Sequence, residues 1–285
     1  MSTTTRAYSS VIQGLFVICA IVLLTVVPTL YIVARRAEHA RRPAVADACA
    51  AEVERGGKRG GRGERGCGGV LVGAGRRFEG GADGGERGSG GTGQMRSAED
   101  VGRVLRDEYL VMLQRLRTMP KPVICGMNGL AAGIGASFAL ACDIRIAAED
   151  AYLSEAFANL GLGPDGGVSW MLPRFIGRGR ALEMFYTADR LSATDAERFG
   201  VVNRVVPKES VEAECRALAQ RLAAGSRAAQ AAAKRAVNFA EGAGFEEAVE
   251  FESFLQETCA GGADFREGVA AFLAKRKPDF GTGDG

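Results

Sequence analysis

The residues best suited to chemistry lie in the stretch that ends at Asp165. This carboxylate stands among glycines and apolar residues in the segment L-G-L-G-P-D-G-G-V-S-W. Upstream, Gly133 and Gly135 open an apolar run of helical length in the segment L-A-A-G-I-G-A-S-F-A-L-A. Backbone N–H groups at such a turn can hold the oxygen of an enolate or a thioester carbonyl. A carboxylate beside that oxygen can move a proton, so the pattern predicts proton transfer next to an oxyanion site.

Two alternatives to this interpretation stay open. Asp165 follows Pro164, and an aspartate in that position also serves as a turn residue that accepts hydrogen bonds from nearby backbone N–H groups. Glu155 lies close in sequence and is the alternative acid. The glycine cluster itself does not match the dinucleotide-binding fingerprint, because Phe138 stands where the third glycine would be.

Composition excludes several other kinds of site. The chain has 285 residues and 47% hydrophobic content, which is enough for one substantial domain with a core. A formal net charge of +2 gives no reason to expect nucleic acid as a partner. His39 is the single histidine and lies outside residues 69–280, which carry the motifs described below, and this removes Ser-His-Asp and Cys-His catalysis from consideration. The seven cysteines form no C-x-x-C pair, so we expect neither a metal site nor a disulfide framework.

The elements that must position Asp165 can be read from hydrophobic periodicity. Val123–Cys125 is predicted to form a short apolar strand, and a helix with one buried stripe is predicted to begin at Ser97 and to be ended by Pro120. After the strand-like run 201–206, four amphipathic helices are predicted. They cover residues 209–224, 226–240, 245–258 and 264–275.

Five motifs occur in an order that is typical of one family. They are G-A-G-R-R-F-E-G-G-A-D (73–83), K-P-V-I (121–124), A-C-D-I-R-I-A-A (141–148), G-L-G-P-D-G-G (161–167) and R-L-S-A-T-D-A-E-R-F-G-V-V-N-R-V-V (190–206). From about Gly69 to Phe280 the chain resembles the enoyl-CoA hydratase/isomerase, or crotonase, superfamily. Within it, the segment around Asp165 looks closer to isomerases similar to the ring-epoxide phenylacetyl-CoA isomerase. The resemblance implies an α/β fold, a spiral of repeated ββα units with a C-terminal helical region.

The resemblance also implies roles for individual residues. Backbone N–H groups of Ala82 and Ile134 would form the oxyanion hole, and Asp165 would carry the proton. The hydratases of the family use two glutamates, and the corresponding positions here are Ser137 and Phe157, neither of which can act as a general base. The residues expected to line the substrate site are Gly81, Asp83, Gly133, Gly135, Phe157, Leu162 and Trp170. Coenzyme A would be part of the substrate, and no separate cofactor is expected.

The N-terminal part departs from the family. The apolar run 11–34 is long enough for a transmembrane helix, and the arginines that follow it would place the rest of the chain in the cytoplasm. Residues 35–66 are predicted to form a Gly/Arg-rich linker. We therefore divide the chain into an atypical segment at 1–66, an acyl-CoA-binding core at 67–206 and a helical region at 207–285. The resemblance implies that this last region closes the substrate site and assembles a homotrimer or hexamer.

Three functions are consistent with the sequence. The first is an acyl-CoA isomerase, of the double-bond or ring-epoxide type, that isomerises an unsaturated or ring-derived acyl-CoA through a thioester enolate, with Asp165 as the proton shuttle. The second is an enoyl-CoA hydratase, a lyase. The third is a non-catalytic, membrane-tethered protein that binds acyl-CoA. Ser137 and Phe157 favour the first over the second.

Overall fold

The computed structural model describes residues 29–33, 68–72, 77–80 and 98–280. Nine strands, numbered here in chain order, form two sheets within these residues. The first sheet is entirely parallel, in the order β1-β2-β4-β6-β9. Its strands are β1 (Thr29–Val33), β2 (Gly68–Val72), β4 (Val123–Met127), β6 (Ile144–Ala148) and β9 (Arg204–Val206).

The second sheet has four strands in the order β3-β5-β7-β8. They are β3 (Arg77–Gly80), β5 (Leu130–Ala132), β7 (Tyr152–Ser154) and β8 (Arg190–Ser192). The first three are parallel, and β8 is antiparallel to β7.

Ten α-helices follow or connect these strands in the described residues. They are α1 (Ala98–Val104), α2 (Leu110–Thr118), α3 (Ile134–Ala141), α4 (Val168–Ile176), α5 (Arg178–Thr187), α6 (Ala193–Arg198), α7 (Val211–Ala223), α8 (Arg227–Ala240), α9 (Phe245–Ala260) and α10 (Ala263–Leu273). A π-helical turn, Leu105–Tyr109, joins α1 to α2, and 3₁₀ helices cover Ala156–Leu160 and Lys208–Ser210.

The chain order shows a repeated unit. Each unit places one strand in the first sheet and the next strand in the second sheet, and then adds helical structure. The pairs are β2 with β3, β4 with β5, and β6 with β7, followed by α1–α2, α3 and α4–α5 respectively. This arrangement confirms the predicted spiral of ββα units.

The centre of the first sheet is buried on both faces, as parallel sheets usually are. All five residues of β4 are buried, which explains why its sequence V-I-C-G-M is apolar without alternation. β6 carries the exception, Arg145, which is only 4% exposed. Its guanidinium donates hydrogen bonds to the carbonyl oxygens of Val201, Ala139, Leu140 and Cys142.

One prediction for the N-terminal part is wrong. Thr29–Val33, which the sequence assigned to the end of a transmembrane helix at 11–34, forms the edge strand β1 and pairs with β2. A strand and a membrane-spanning helix cannot share these five residues. Residues 1–28 and the predicted linker at 35–66 lie outside the described residues. None of the helices that the structure describes is long and apolar enough to span a bilayer.

Helix α8 is attached to the rest of the fold through polar contacts. The Lys234 ammonium group donates to Leu116 O at 2.7 Å and to Asp143 Oδ2 at 2.8 Å. Asp143 Oδ2 also accepts the N–H of Val123, at 2.7 Å. Lys234 therefore joins α8 to the end of α2 and to the entry of β4.

Candidate active site

The N-terminus of α3 forms one wall of the candidate site. Gly133, which precedes the helix, has φ +54°, a backbone conformation that favours glycine. Its N–H donates to Ser154 O at 3.0 Å, which fixes the turn to the end of β7. The N–H groups in the first turn of a helix have no partner within the helix. Ile134, the first helical residue, is buried, and its N–H is the group that the resemblance assigns to the oxyanion hole.

The loop that carries Asp165 packs directly on this helix. The hydroxyl of Ser137 donates to the backbone oxygen of Asp165 at 3.1 Å. Gly166 has φ +60°, and a Cβ at this position would lie 2.6 Å from both Ile134 Cδ1 and Ser137 Oγ. Only a glycine allows so close an approach. The structure thus brings Ile134, Ser137 and Asp165, far apart in sequence, to one place.

A second carboxyl lies at the same place. Glu155, directly after β7, is 1% exposed. Burial raises its pKa to about 9, and the charge of Asp165 adds to this effect. Sequence reasoning ranked Glu155 only as an alternative acid. The sequence did contain a signal for this role, because Glu155 stands between a buried strand and an apolar 3₁₀ turn. A carboxyl is stable in such a place only when it is paired or neutral.

The three large apolar residues that were predicted to line the substrate site differ in burial. Phe157 is half-buried and packs against the core, whereas Leu162 is exposed. Trp170 is 37% exposed, and its ring lies between the guanidinium groups of Arg174 at 3.8 Å and Arg117 at 4.7 Å. These cation–π contacts account for the position of Trp170 in this chain.

Three predicted site residues, Gly81, Ala82 and Asp83, lie outside the described residues. The pairing of the Ala82 and Ile134 amides in one oxyanion hole therefore stays a prediction. In the described part of the chain, no three His, Cys, Asp or Glu side chains form a group that could hold a metal ion.

Comparison with known proteins identifies the fold and the family. The family model for enoyl-CoA hydratase/isomerase matches residues 63–283. The chain belongs to the enoyl-CoA hydratase/isomerase family. It is 41% identical over 211 residues to the 1,2-epoxyphenylacetyl-CoA isomerase of Escherichia coli, covering 74% of this chain and 79% of the relative. A probable enoyl-CoA hydratase of Rhodobacter capsulatus matches with the same identity and the same coverage.

A solved structure of the family supports the same conclusion. The crystal structure of an enoyl-CoA hydratase from Bacillus anthracis superposes with a TM-score of 0.78 at 29% identity, covering 92% of this chain and 98% of that one. The crotonase-like α/β fold is thus confirmed, and the chain is an enzyme of the enoyl-CoA hydratase/isomerase family. The relatives carry both names, isomerase and hydratase, and the choice between them depends on the residues of the site.

Proposed function

We propose that this protein is an acyl-CoA isomerase, of the double-bond or ring-epoxide type, that acts through a thioester enolate with Asp165 as its proton shuttle. The observation that carries the proposal is the position of Asp165 on the first turn of α3. There the Ser137 hydroxyl holds its backbone oxygen at 3.1 Å. A base on this loop is attached to the helix whose first N–H group, that of Ile134, would stabilise the enolate.

In the proposed reaction, the Asp165 carboxylate removes a proton from the α or γ carbon of the acyl group. The electron pair left behind moves onto the thioester oxygen, which accepts hydrogen bonds from Ile134 N–H and, as predicted, from Ala82 N–H. The protonated Asp165 then returns its proton to a different carbon. No net charge or atom is lost, so one carboxyl is sufficient for the complete cycle.

Hydration of a 2-enoyl-CoA is the second candidate, and the hydratase name of the Rhodobacter capsulatus relative favours it. A family hydratase needs two carboxylates to place and activate water. At the two corresponding positions this chain has a hydroxyl that is bonded to Asp165 O and a half-buried phenyl ring, those of Ser137 and Phe157. Neither side chain accepts a proton from water at neutral pH, which supports the isomerase over the hydratase.

Two assays on the same preparation separate these candidates. We expect Asp165→Asn to lower the rate of acyl-CoA isomerisation by about 10²–10⁴-fold, the usual contribution of a general base. We expect slow hydration of crotonyl-CoA by the parent protein, followed through the absorbance of the conjugated thioester. Full isomerisation by Asp165→Asn would show that Asp165 is not the base. Rapid hydration of crotonyl-CoA would assign the hydratase function instead.

We also propose that the protein assembles as a homotrimer or hexamer through its C-terminal helices. Large apolar side chains of these helices are exposed in the single chain, among them Phe245 at 85% and Phe272 at 82%. Several large apolar side chains exposed on one group of helices are typical of a surface that a partner covers. Light scattering coupled to size-exclusion chromatography should give the mass of three or six chains, and a monomer at micromolar concentration would contradict the assembly.

A further inference from the structure

Glu155 is a buried carboxyl that the proposed reaction does not use. It follows β7 directly, and the carbonyl oxygen of the preceding Ser154 accepts the N–H of Gly133 at 3.0 Å. Its backbone is therefore attached to the turn that opens α3. The side chain is 1% exposed, and Oε2 has no hydrogen-bond partner among the described residues. A carboxylate in such a place would have lost its water without replacement, which is costly.

Asp165 is the charged residue that acts on Glu155 from a neighbouring element. β5, the strand paired with β7, carries no titratable side chain. The Arg190 guanidinium of β8 lies over the ring of Tyr152, 4.5 Å from its centre. The remaining titratable residues on the packed helices are exposed or paired at the surface. They are Arg178, Arg180, Glu183 and Tyr186 of α5, and Asp195, Glu197 and Arg198 of α6.

We propose that Glu155 is a positioning residue of the active site, a carboxyl held protonated against Asp165 so that the pair carries one negative charge, located on Asp165. Two ionised carboxylates in one buried site repel each other, so the second proton stays bound. The more deeply buried group keeps it. This inference rests on the proposed function, because it assigns to Glu155 an action through Asp165 as the base.

The proton on Glu155 matters when the enolate forms. Asp165 becomes neutral as it takes the substrate proton, and the negative charge moves to the thioester oxygen. With Glu155 protonated, neither Glu155 nor Asp165 places a negative charge beside that oxygen. Ionisation of Glu155 would place a second buried negative charge near it, and repulsion in a region of low dielectric is strong. The rate of isomerisation should therefore fall when Glu155 loses its proton, with burial placing its pKa at about 9.

Infrared difference spectroscopy tests the protonation state without any substrate. The parent protein at pH 7 should show the carbonyl band of a protonated carboxylic acid, and the band should disappear as the pH passes about 9. Glu155→Gln should lack this band. Glu183→Gln, which removes an exposed carboxylate on the adjacent helix, should retain it. A parent spectrum with only ionised carboxylates at pH 7 would overturn the proposal. Glu155→Met serves as the reference if Glu155→Gln does not fold.

The pH profile of kcat/KM for isomerisation tests the action on the reaction. The parent and Glu183→Gln should lose activity near pH 9, whereas Glu155→Gln should show no alkaline decrease. An unchanged alkaline decrease in Glu155→Gln would overturn the proposal. The Asp165→Asn variant distinguishes failure of the proposed function from failure of the inference about Glu155. If it is fully active, the proposed function itself fails. If it is inactive while Glu155→Gln keeps the parent profile, the inference about Glu155 alone is wrong.

Discussion

Each end of helix α3 lies next to a buried ionisable side chain, and the two side chains are in opposite environments. At the C-terminal end, the Arg145 guanidinium is surrounded by carbonyl oxygens from the last turn of the helix and from Val201. At the N-terminal end, the Asp165 loop packs on the first turn of the helix through Ser137 and Gly166, and the buried Glu155 Oε2 has no hydrogen-bond partner among the described residues. The polar groups at one end are satisfied by the protein, which is typical of a structural role. At the other end the Glu155 carboxyl oxygen has no such partner, and a buried polar group left in this state calls for a chemical explanation.

The first prediction concerns Arg145, at the C-terminal end of α3. Arg145→Met should lower the free energy of unfolding by more than about 3 kcal/mol, because several buried carbonyl groups lose their donor at once. Urea denaturation of both proteins measures the difference. Arg178→Met, at an exposed position on α5, is the control and should change the free energy of unfolding by less than about 0.5 kcal/mol. If Arg145→Met lowers the free energy of unfolding no more than the control does, water must replace the guanidinium as the donor to these carbonyl oxygens at no cost.

The second prediction concerns the cost of burying Glu155. Folding raises the pKa of this carboxyl from 4.5 to about 9. Between these values the unfolded chain releases the proton and the folded chain keeps it, so the stability of the parent falls as the pH rises. Each pH unit corresponds to at most about 1.4 kcal/mol for one group. The advantage of Glu155→Gln over the parent should therefore grow by a few kcal/mol between pH 5 and pH 8.

Glu183→Gln is the control for this measurement. Its stability relative to the parent should stay constant over the same range, because the Glu183 side chain is exposed. If urea denaturation gives the same difference between Glu155→Gln and the parent at pH 5 and at pH 8, then Glu155 is ionised in the folded protein. The contrast between the two ends of α3 would then have to be abandoned.

The third and smallest prediction concerns the fit of the Asp165 loop. Gly166→Ala combines a positive φ with a Cβ only 2.6 Å from Ile134 Cδ1, so the loop must move away from α3. We expect a loss of about 2 kcal/mol in unfolding free energy from overpacking and strain, together with reduced isomerisation. Gly200→Ala has φ +79° and no neighbouring atom within 4 Å, so it isolates the strain alone. Equal isomerisation rates in the two variants would show that the loop position does not matter for chemistry.

The sequence predicted those parts of the fold that local pattern determines. Helix α6 carries such local signals, because Ser192 caps it by accepting the N–H of Asp195 at 3.1 Å and it ends at Arg198, before Gly200. The four C-terminal helices agree to within about two residues of their predicted ends. β1 was missed, because an apolar run of this length satisfies the hydropathy of a membrane helix and of a buried strand alike. Its pairing with β2 is a long-range contact that no local pattern specifies.

The candidate site divides in the same way. The glycine-rich turn and Asp165 lie within recognisable motifs, so the sequence was sufficient to predict them as site residues. Their contact through Ser137 Oγ and the burial of Glu155 result from the packing of β7, α3 and the loop before α4, and depend on residues far apart in the chain. Trp170 was predicted from its motif to line the pocket. Its two arginine neighbours come from α2 and α4, so the contact with Arg117 could not be read from the adjacent sequence.

The proposed function requires that the Asp165 carboxylate, at the N-terminal end of α3, exchanges a proton with the acyl carbon chain of a thioester. The most direct measurement is the incorporation of deuterium from solvent into an acyl-CoA, followed by nuclear magnetic resonance. The parent protein should exchange protons at the α or γ carbon, and Asp165→Asn should exchange them at least about a hundredfold more slowly. Equal exchange in both proteins would contradict the account, because the proton would then be moved by another group.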